Sequence, residues 1–226
     1  MIERAVDGFG LARMIRRLEQ RVRPEDLGGE SVAQLVRRWS RLRSPEMDLQ
    51  VRDYDPRWPE VFQAEKRRLQ AALADEALEI QHVGSTAIPM LPGKNIVDVA
   101  LAGRALPPSG RQIERLVALG YEPYGRSPID PEFSWLWRIE AGGQGAVVVH
   151  LCAIHSPWLA NLVNFRDFLC AFPEERQRYA DRKRELATVA DQSWIEYSVA
   201  KRVLALHITE RANAWAAARS QALPRT

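Results

Sequence analysis

The chain has 226 residues, of which 46% are hydrophobic and 27% charged, with a formal net charge of +3 and two cysteines. That length supports one well-buried domain plus an appendage, while two cysteines exclude a disulfide framework and no run approaches the roughly 20 apolar residues of a membrane span. Met1 to Gln20 lacks the apolar core of a signal peptide, so a cytoplasmic protein with no membrane partner is expected. A small charge excess spread along the chain does not mark a nucleic-acid binder, and it suits an anionic substrate.

In chain order, Leu11, Met14, Ile15 and Leu18 recur at helical spacing, as do Val32, Leu35, Val36, Trp39 and Leu42 after Pro24 and Gly28-Gly29. Ser31 with Gln34 supplies a capping box for the second helix. Residues 1–48 therefore read as a helical hairpin separate from residues 49–226, suited to packing or to binding a carrier or other protein. The rhythm from Asp7-Gly8-Phe9 to Leu35 faintly resembles the back half of an acyl or peptidyl carrier protein, with Gly8 where a carrier needs its modified serine.

In the main domain, Asp55 with Pro56 predicts a helix start, and Val61, Phe62, Leu69, Ala72 and Leu73 form its inward stripe. Strands are predicted over 78–83 and 95–101. Ser109 and Gln112 then open a helix that Gly120 closes. Three more strands are read at 121–124, 134–139 and 146–153, and the chain is helical from about 157 to 219. A mixed sheet with a helical tail gives an α+β fold.

Chemistry concentrates in His82-Val83-Gly84-Ser85-Thr86-Ala87-Ile88-Pro89 and in Asn95-Ile96-Val97-Asp98-Val99-Ala100-Leu101. A strand that breaks at Gly84-Ser85 can offer N–H groups and a hydroxyl to phosphate oxygens, because glycine permits close approach. An acid among apolar neighbours, as Asp98 is, requires a metal, a cation or several donors. Lys94, at the mouth of that strand, can meet a phosphate as a point charge. His150 and Cys152 share a strand face. With His82 they could form a zinc set, but no tight ligand spacing supports one. Trp135, Trp137 and Trp158 could stack on a base.

The Gly-Ser turn with Asp98 on the next strand resembles the DNA polymerase beta nucleotidyltransferase superfamily. Tyr54-Asp55-Pro56-Arg57-Trp58-Pro59, the His82 to Pro89 stretch, Lys94, Asp98, Val149-His150-Leu151, Phe165-Arg166-Asp167-Phe168, Tyr179, Lys183 with Glu185-Leu186, and Lys201 together resemble the GrpB family over roughly residues 49 to 212. The resemblance implies a nucleotidyltransferase-like mixed sheet flanked by helices. It implies phosphate contacts at Gly84, Ser85, Thr86, Lys94, Arg166, Lys183 and Lys201, Mg²⁺ on Asp98, and a nucleoside triphosphate. Two positions depart from the pattern: Ala100 stands where a second acid is expected, and Cys152 where the family often has histidine. Either one Mg²⁺ is held by Asp98 with substrate phosphates, or the fold serves another purpose.

The expected function is nucleotidyl transfer to a small molecule, or its activation by a nucleoside triphosphate, with His150 orienting or deprotonating the acceptor. Two alternatives stand beside it. One is acyl or aminoacyl transfer on thioester or carrier-bound substrates through Cys152. The other is a non-catalytic fold that binds an anion or a protein partner.

Overall fold

The computed structural model describes residues 8–27, 29, 31–39, 50–74, 79–104, 109–126, 134–140, 145–189 and 194–222. Its centre is a five-stranded sheet ordered β1-β2-β5-β4-β3. The strands are β1 (Glu79–Val83), β2 (Ile96–Gly103), β3 (Glu122–Arg126), β4 (Ser134–Ile139) and β5 (Ala146–Ala153). Only β2 and β5 pair in parallel, and the other pairs are antiparallel, so the sheet is mixed. Those two central strands are covered on both faces, which is why their sequences are nearly continuous apolar runs rather than alternating ones.

One face is covered by α3 (Trp58–Leu73) and α4 (Gly110–Ala118), whose Phe62, Leu69, Leu73 and Leu116 pack on Ile80, Val97, Val99, Leu101 and Val149. On the other face Leu159, Trp158, Leu162 and Val163 of α5 (Pro157–Ala171) meet Val83, Ala100, Ala102 and Cys152. Behind α5 lie α6 (Pro173–Val189) and α7 (Trp194–Ala222), joined to the loop after β1 through Ile88, Leu91, Phe168, Leu169, Tyr179 and Ile208. Fully burying each such side chain contributes roughly 1.5–3 kcal/mol.

The N-terminal hairpin is α1 (Gly8–Glu19) and α2 (Val32–Trp39), linked through a short 3₁₀ turn at Pro24–Leu27. Ser31 and Gln34 make the reciprocal capping bonds: the Gln34 N–H donates to Ser31 Oγ and the Ser31 N–H to Gln34 Oε1, each at 3.2 Å. Met14, Leu18, Val22, Leu27, Val32, Leu35 and Val36 share one core with Ile195 and Val199 of α7, and Arg17 pairs with Glu196 at 2.8 Å. The predicted continuation of α2 to Leu42 and the boundary near residue 48 lie outside the described residues, as does Leu78.

Several expectations need adjustment. α3 starts three residues after Asp55, with Arg57 at its N-cap and Pro59 rather than Pro56 in its first turn. The Asp55 carboxylate instead accepts from the Arg57 backbone N–H at 2.9 Å and from its guanidinium, a local turn that competes with capping. β2 runs two residues beyond the predicted end, and the third strand is displaced to 122–126. The Ser109 capping box and the stop at Gly120, where φ is +87°, are as read.

Candidate functional site

Register places the site. Asp98 pairs with Val83 on β1 and Val148 on β5, while Ala100 pairs with His150 and Ala102 with Cys152. Paired residues share a face, so Asp98, Ala100, His150 and Cys152 all point toward the α5 side, and His150 also pairs with Trp135 on β4. Asp98 accepts a hydrogen bond from His150 Nε2 at 3.0 Å. Edge-on contact with the Trp135 ring at 5.8 Å steadies the imidazole.

The turn beside this dyad needs a glycine for two reasons. Gly84 has φ +70°, and a Cβ there would lie 2.3 Å from Asp98 Oδ2, so the carboxylate occupies the space a side chain would take. Ser85 opens a short 3₁₀ turn, Ser85–Ala87. Its hydroxyl accepts from Lys183 Nζ at 2.7 Å, and Lys183 also donates to the Pro92 carbonyl. One ammonium from α6 thus ties both ends of the 85–92 loop.

Lys183 is one of three lysines that converge here. It is 2% exposed, and Lys94 and Lys201 are partly buried. Lys94 Nζ lies 4.4 Å from the Tyr197 ring centre and Lys201 Nζ 5.9 Å from the same ring, while Lys183 Nζ lies 5.4 Å from the Tyr179 ring. Aromatic faces stabilise ammonium groups that have lost water, but by only about 0.5–2 kcal/mol each. Burial therefore dominates: it pulls Lys94 down to about 7, with repulsion from Lys201 adding to it and Asp98 opposing. It also lowers Lys183 and Lys201, against the same opposing attraction of Asp98. Burial raises the Tyr179 and Tyr197 phenols, which stay neutral.

Gly84, Ser85, Lys94, Asp98, His150, Lys183 and Lys201 are therefore brought together. Three other expected contacts are directed elsewhere. Thr86 is 1% exposed, donates to the Ile96 carbonyl at 3.1 Å and lies 3.1 Å from His82 Nε2, so it braces the strand pair. Arg166 binds Asp167, Gln81 Oε1 and the His82 carbonyl at 2.7, 2.8 and 2.9 Å, which fastens α5 to the end of β1 rather than facing the pocket. Cys152 is 2% exposed among Ala100, Ala102 and Leu159, and burial pushes its thiol up to about 11, the reverse of what a nucleophile needs.

His82 projects from the opposite sheet face and stacks on Phe62 at 4.7 Å, which separates it from His150 and Cys152 and dissolves the zinc set. Trp158 packs with the apolar side chains of α5 around Cys152. The residues also do not fit a dedicated magnesium site. Asp98 is engaged by His150, Ala100 supplies no second carboxylate, and the neighbouring side chains are three lysines, which are not metal ligands of this type. Among the described residues, no cluster of three histidine, cysteine or acidic side chains could hold a metal.

Tyr179 and Tyr197, both buried, present their rings to the three lysines. Their signal was a repeated spacing, Tyr179 with Lys183 and Tyr197 with Lys201, which places each pair on one helix face.

The GrpB protein family model matches residues 48–211. A UPF0157 protein of Halalkalibacterium halodurans is 30% identical over 76% of this chain and 87% of its own length. One from Pseudomonas aeruginosa is 34% identical over 66% of this chain and 61% of its own. A dephospho-CoA kinase of Mycolicibacterium paratuberculosis is 30% identical over 72% of this chain but 45% of its own length. The crystal structure of GrpB from Enterococcus faecalis, 24% identical, superposes with a TM-score of 0.65 over 74% of this chain and 99% of that one, sharing the fold. No helix among the described residues is long and apolar enough to cross a membrane. On the family match and the extent of its relatives, the chain belongs to the GrpB family.

Proposed function

We propose that this protein is a transferase that holds a phosphoryl-bearing substrate, most simply a nucleoside triphosphate, in the pocket between β2, β5, α6 and α7. The observation that carries the reading is the charge imbalance: Lys94, Lys183 and Lys201 converge on a single carboxylate, Asp98. Isolated buried charges cost several kcal/mol each unless matched, so such a cluster is best completed by an anion with more than one negative charge. The Gly84-Ser85 turn and the ring-faced ammonium groups suit phosphate oxygens, whose developing charge is what a phosphoryl-transfer site must stabilise.

In this reading Asp98 fixes the His150 ring through the Nε2 hydrogen bond. His150 takes the proton of an acceptor hydroxyl or amine as that atom bonds to the α-phosphorus, while the bond to the bridging oxygen breaks and pyrophosphate departs toward Lys94 and Lys201. The name of the dephospho-CoA kinase relatives, which denotes phosphoryl transfer, is consistent with this substrate class. Acyl transfer through Cys152 has no comparable support, given the buried, protonated thiol.

The test is calorimetric titration with each nucleoside triphosphate, followed by a search for pyrophosphate release across hydroxyl and amine acceptors. His150→Gln is expected to leave triphosphate binding within a few fold and lower turnover by the 10²–10⁴-fold typical of a lost general base. Failure of every triphosphate and of pyrophosphate to bind would contradict the reading, and binding without turnover on any acceptor would reduce it to the non-catalytic alternative.

A further inference from the structure

Three lysines and one carboxylate interact with one another across β2, α6 and α7, and the position at which a second metal-binding acid would stand is Ala100, 0% exposed beneath α5. Each ammonium is fixed from a different element: Lys94 from the loop entering β2, Lys183 from α6 and Lys201 from α7. Lys183 is anchored by Ser85 and Pro92, and Lys94 and Lys201 flank one tyrosine ring, so the positive charge is preorganised rather than borne on free surface side chains. Phosphoryl-transfer sites commonly use a divalent ion to neutralise the transferring group, and that ion needs oxygen ligands from the protein. Among the described residues the carboxylate at this position is Asp98, whose Oδ1 is engaged by His150 and whose Oδ2 lies against Gly84.

Resting on the phosphoryl-binding reading above, we infer that the lysine cluster stands in place of the divalent ion and that the substrate taken up is the metal-free polyphosphate anion, not its magnesium complex. A metal-complexed polyphosphate would bring a dication against three lysines whose charge already costs the fold burial energy, whereas the free anion presents its full charge to them and favours their protonation. Magnesium then acts as a competitor, by withdrawing free anion from solution. This reverses the usual requirement.

The experiment uses the full chain and inorganic pyrophosphate as probe, titrated at constant ionic strength in excess EDTA and again in excess Mg²⁺. Binding in EDTA is expected to be at least as tight as in its absence, and excess Mg²⁺ to weaken apparent affinity by tenfold or more. In EDTA, Lys201→Met is expected to lose at least tenfold in affinity, with the melting temperature followed to confirm a folded variant. The wild-type comparison alone decides the matter if the variant is unstable. Pyrophosphate that binds only with Mg²⁺ would overturn this inference and leave the phosphoryl-binding reading intact. Pyrophosphate that binds under neither condition would overturn this inference, and only if every triphosphate also failed to bind would the phosphoryl-binding reading fall with it.

Discussion

The two faces of the sheet treat buried charge in opposite ways. On the α3 side Glu65, 2% exposed, accepts from the Tyr121 hydroxyl at 2.8 Å, from Arg68 at 2.9 Å and from Arg138, so both carboxylate oxygens are matched within the fold. On the α5 side three lysines share Asp98, which among the described residues is the carboxylate whose attraction offsets their burial. A charge that serves architecture is neutralised by its own neighbours, whereas a surplus held rigidly in a pocket indicates that the neutralising partner comes from outside.

Substitutions that remove one charge from each face should separate these cases. Glu65→Ala leaves Arg138 and Tyr121 unmatched and is expected to cost about 3–5 kcal/mol in urea unfolding. The α3 face also carries His82, whose burial lowers it to about 4 from an ordinary 6.5. Its neutral form is favoured by folding, so that contribution is complete above pH 6.5 and is lost as pH falls toward 4. Up to about 3 kcal/mol is at stake, since each pKa unit corresponds to about 1.4 kcal/mol. Unfolding of wild type and His82→Gln between pH 4 and 7 checks this, the variant showing the shallower dependence.

Lys201→Met should behave in the opposite sense from Glu65→Ala. It relieves a poorly matched charge and is expected to leave the ligand-free protein unchanged or more stable by about 1 kcal/mol, while anion affinity collapses. Parallel destabilisation by both variants would break the comparison. The smallest effect is expected at the hairpin, where Arg17→Ala removes a half-exposed partner from Glu196, one residue before Tyr197, at about 1 kcal/mol by thermal unfolding.

The strand pair carrying the Gly84-Ser85 turn and Asp98 was legible because a short apolar run and a glycine break are local signals. The same holds for the Ser109 and Ser31 capping boxes. Asp55 misled because its side chain had a nearer partner in Arg57. Thr86, Arg166 and Cys152 carry suitable chemistry, but their direction depends on which strand face or helix they meet, which only tertiary packing decides. Burial of Lys183 follows from α6 lying across the 85–92 loop, a contact 91 residues distant in sequence. Glu65 was readable in principle: it lies between Phe62 and Leu69 on the inward stripe of α3, where an acid must find partners.

The most direct test of the central claim is proton exchange on anion binding. Lys94, near 7 in the ligand-free pocket, is mostly neutral at pH 8, and an arriving anion raises it, so binding must take up protons and weaken as pH rises above 7. Pyrophosphate titrated into the protein at pH 8 in two buffers of different ionisation enthalpy should reveal proton uptake by the protein, after subtraction of the protons that pyrophosphate itself carries at that pH. Binding without proton uptake, or with proton release, would contradict a pocket built from buried lysines awaiting an anion.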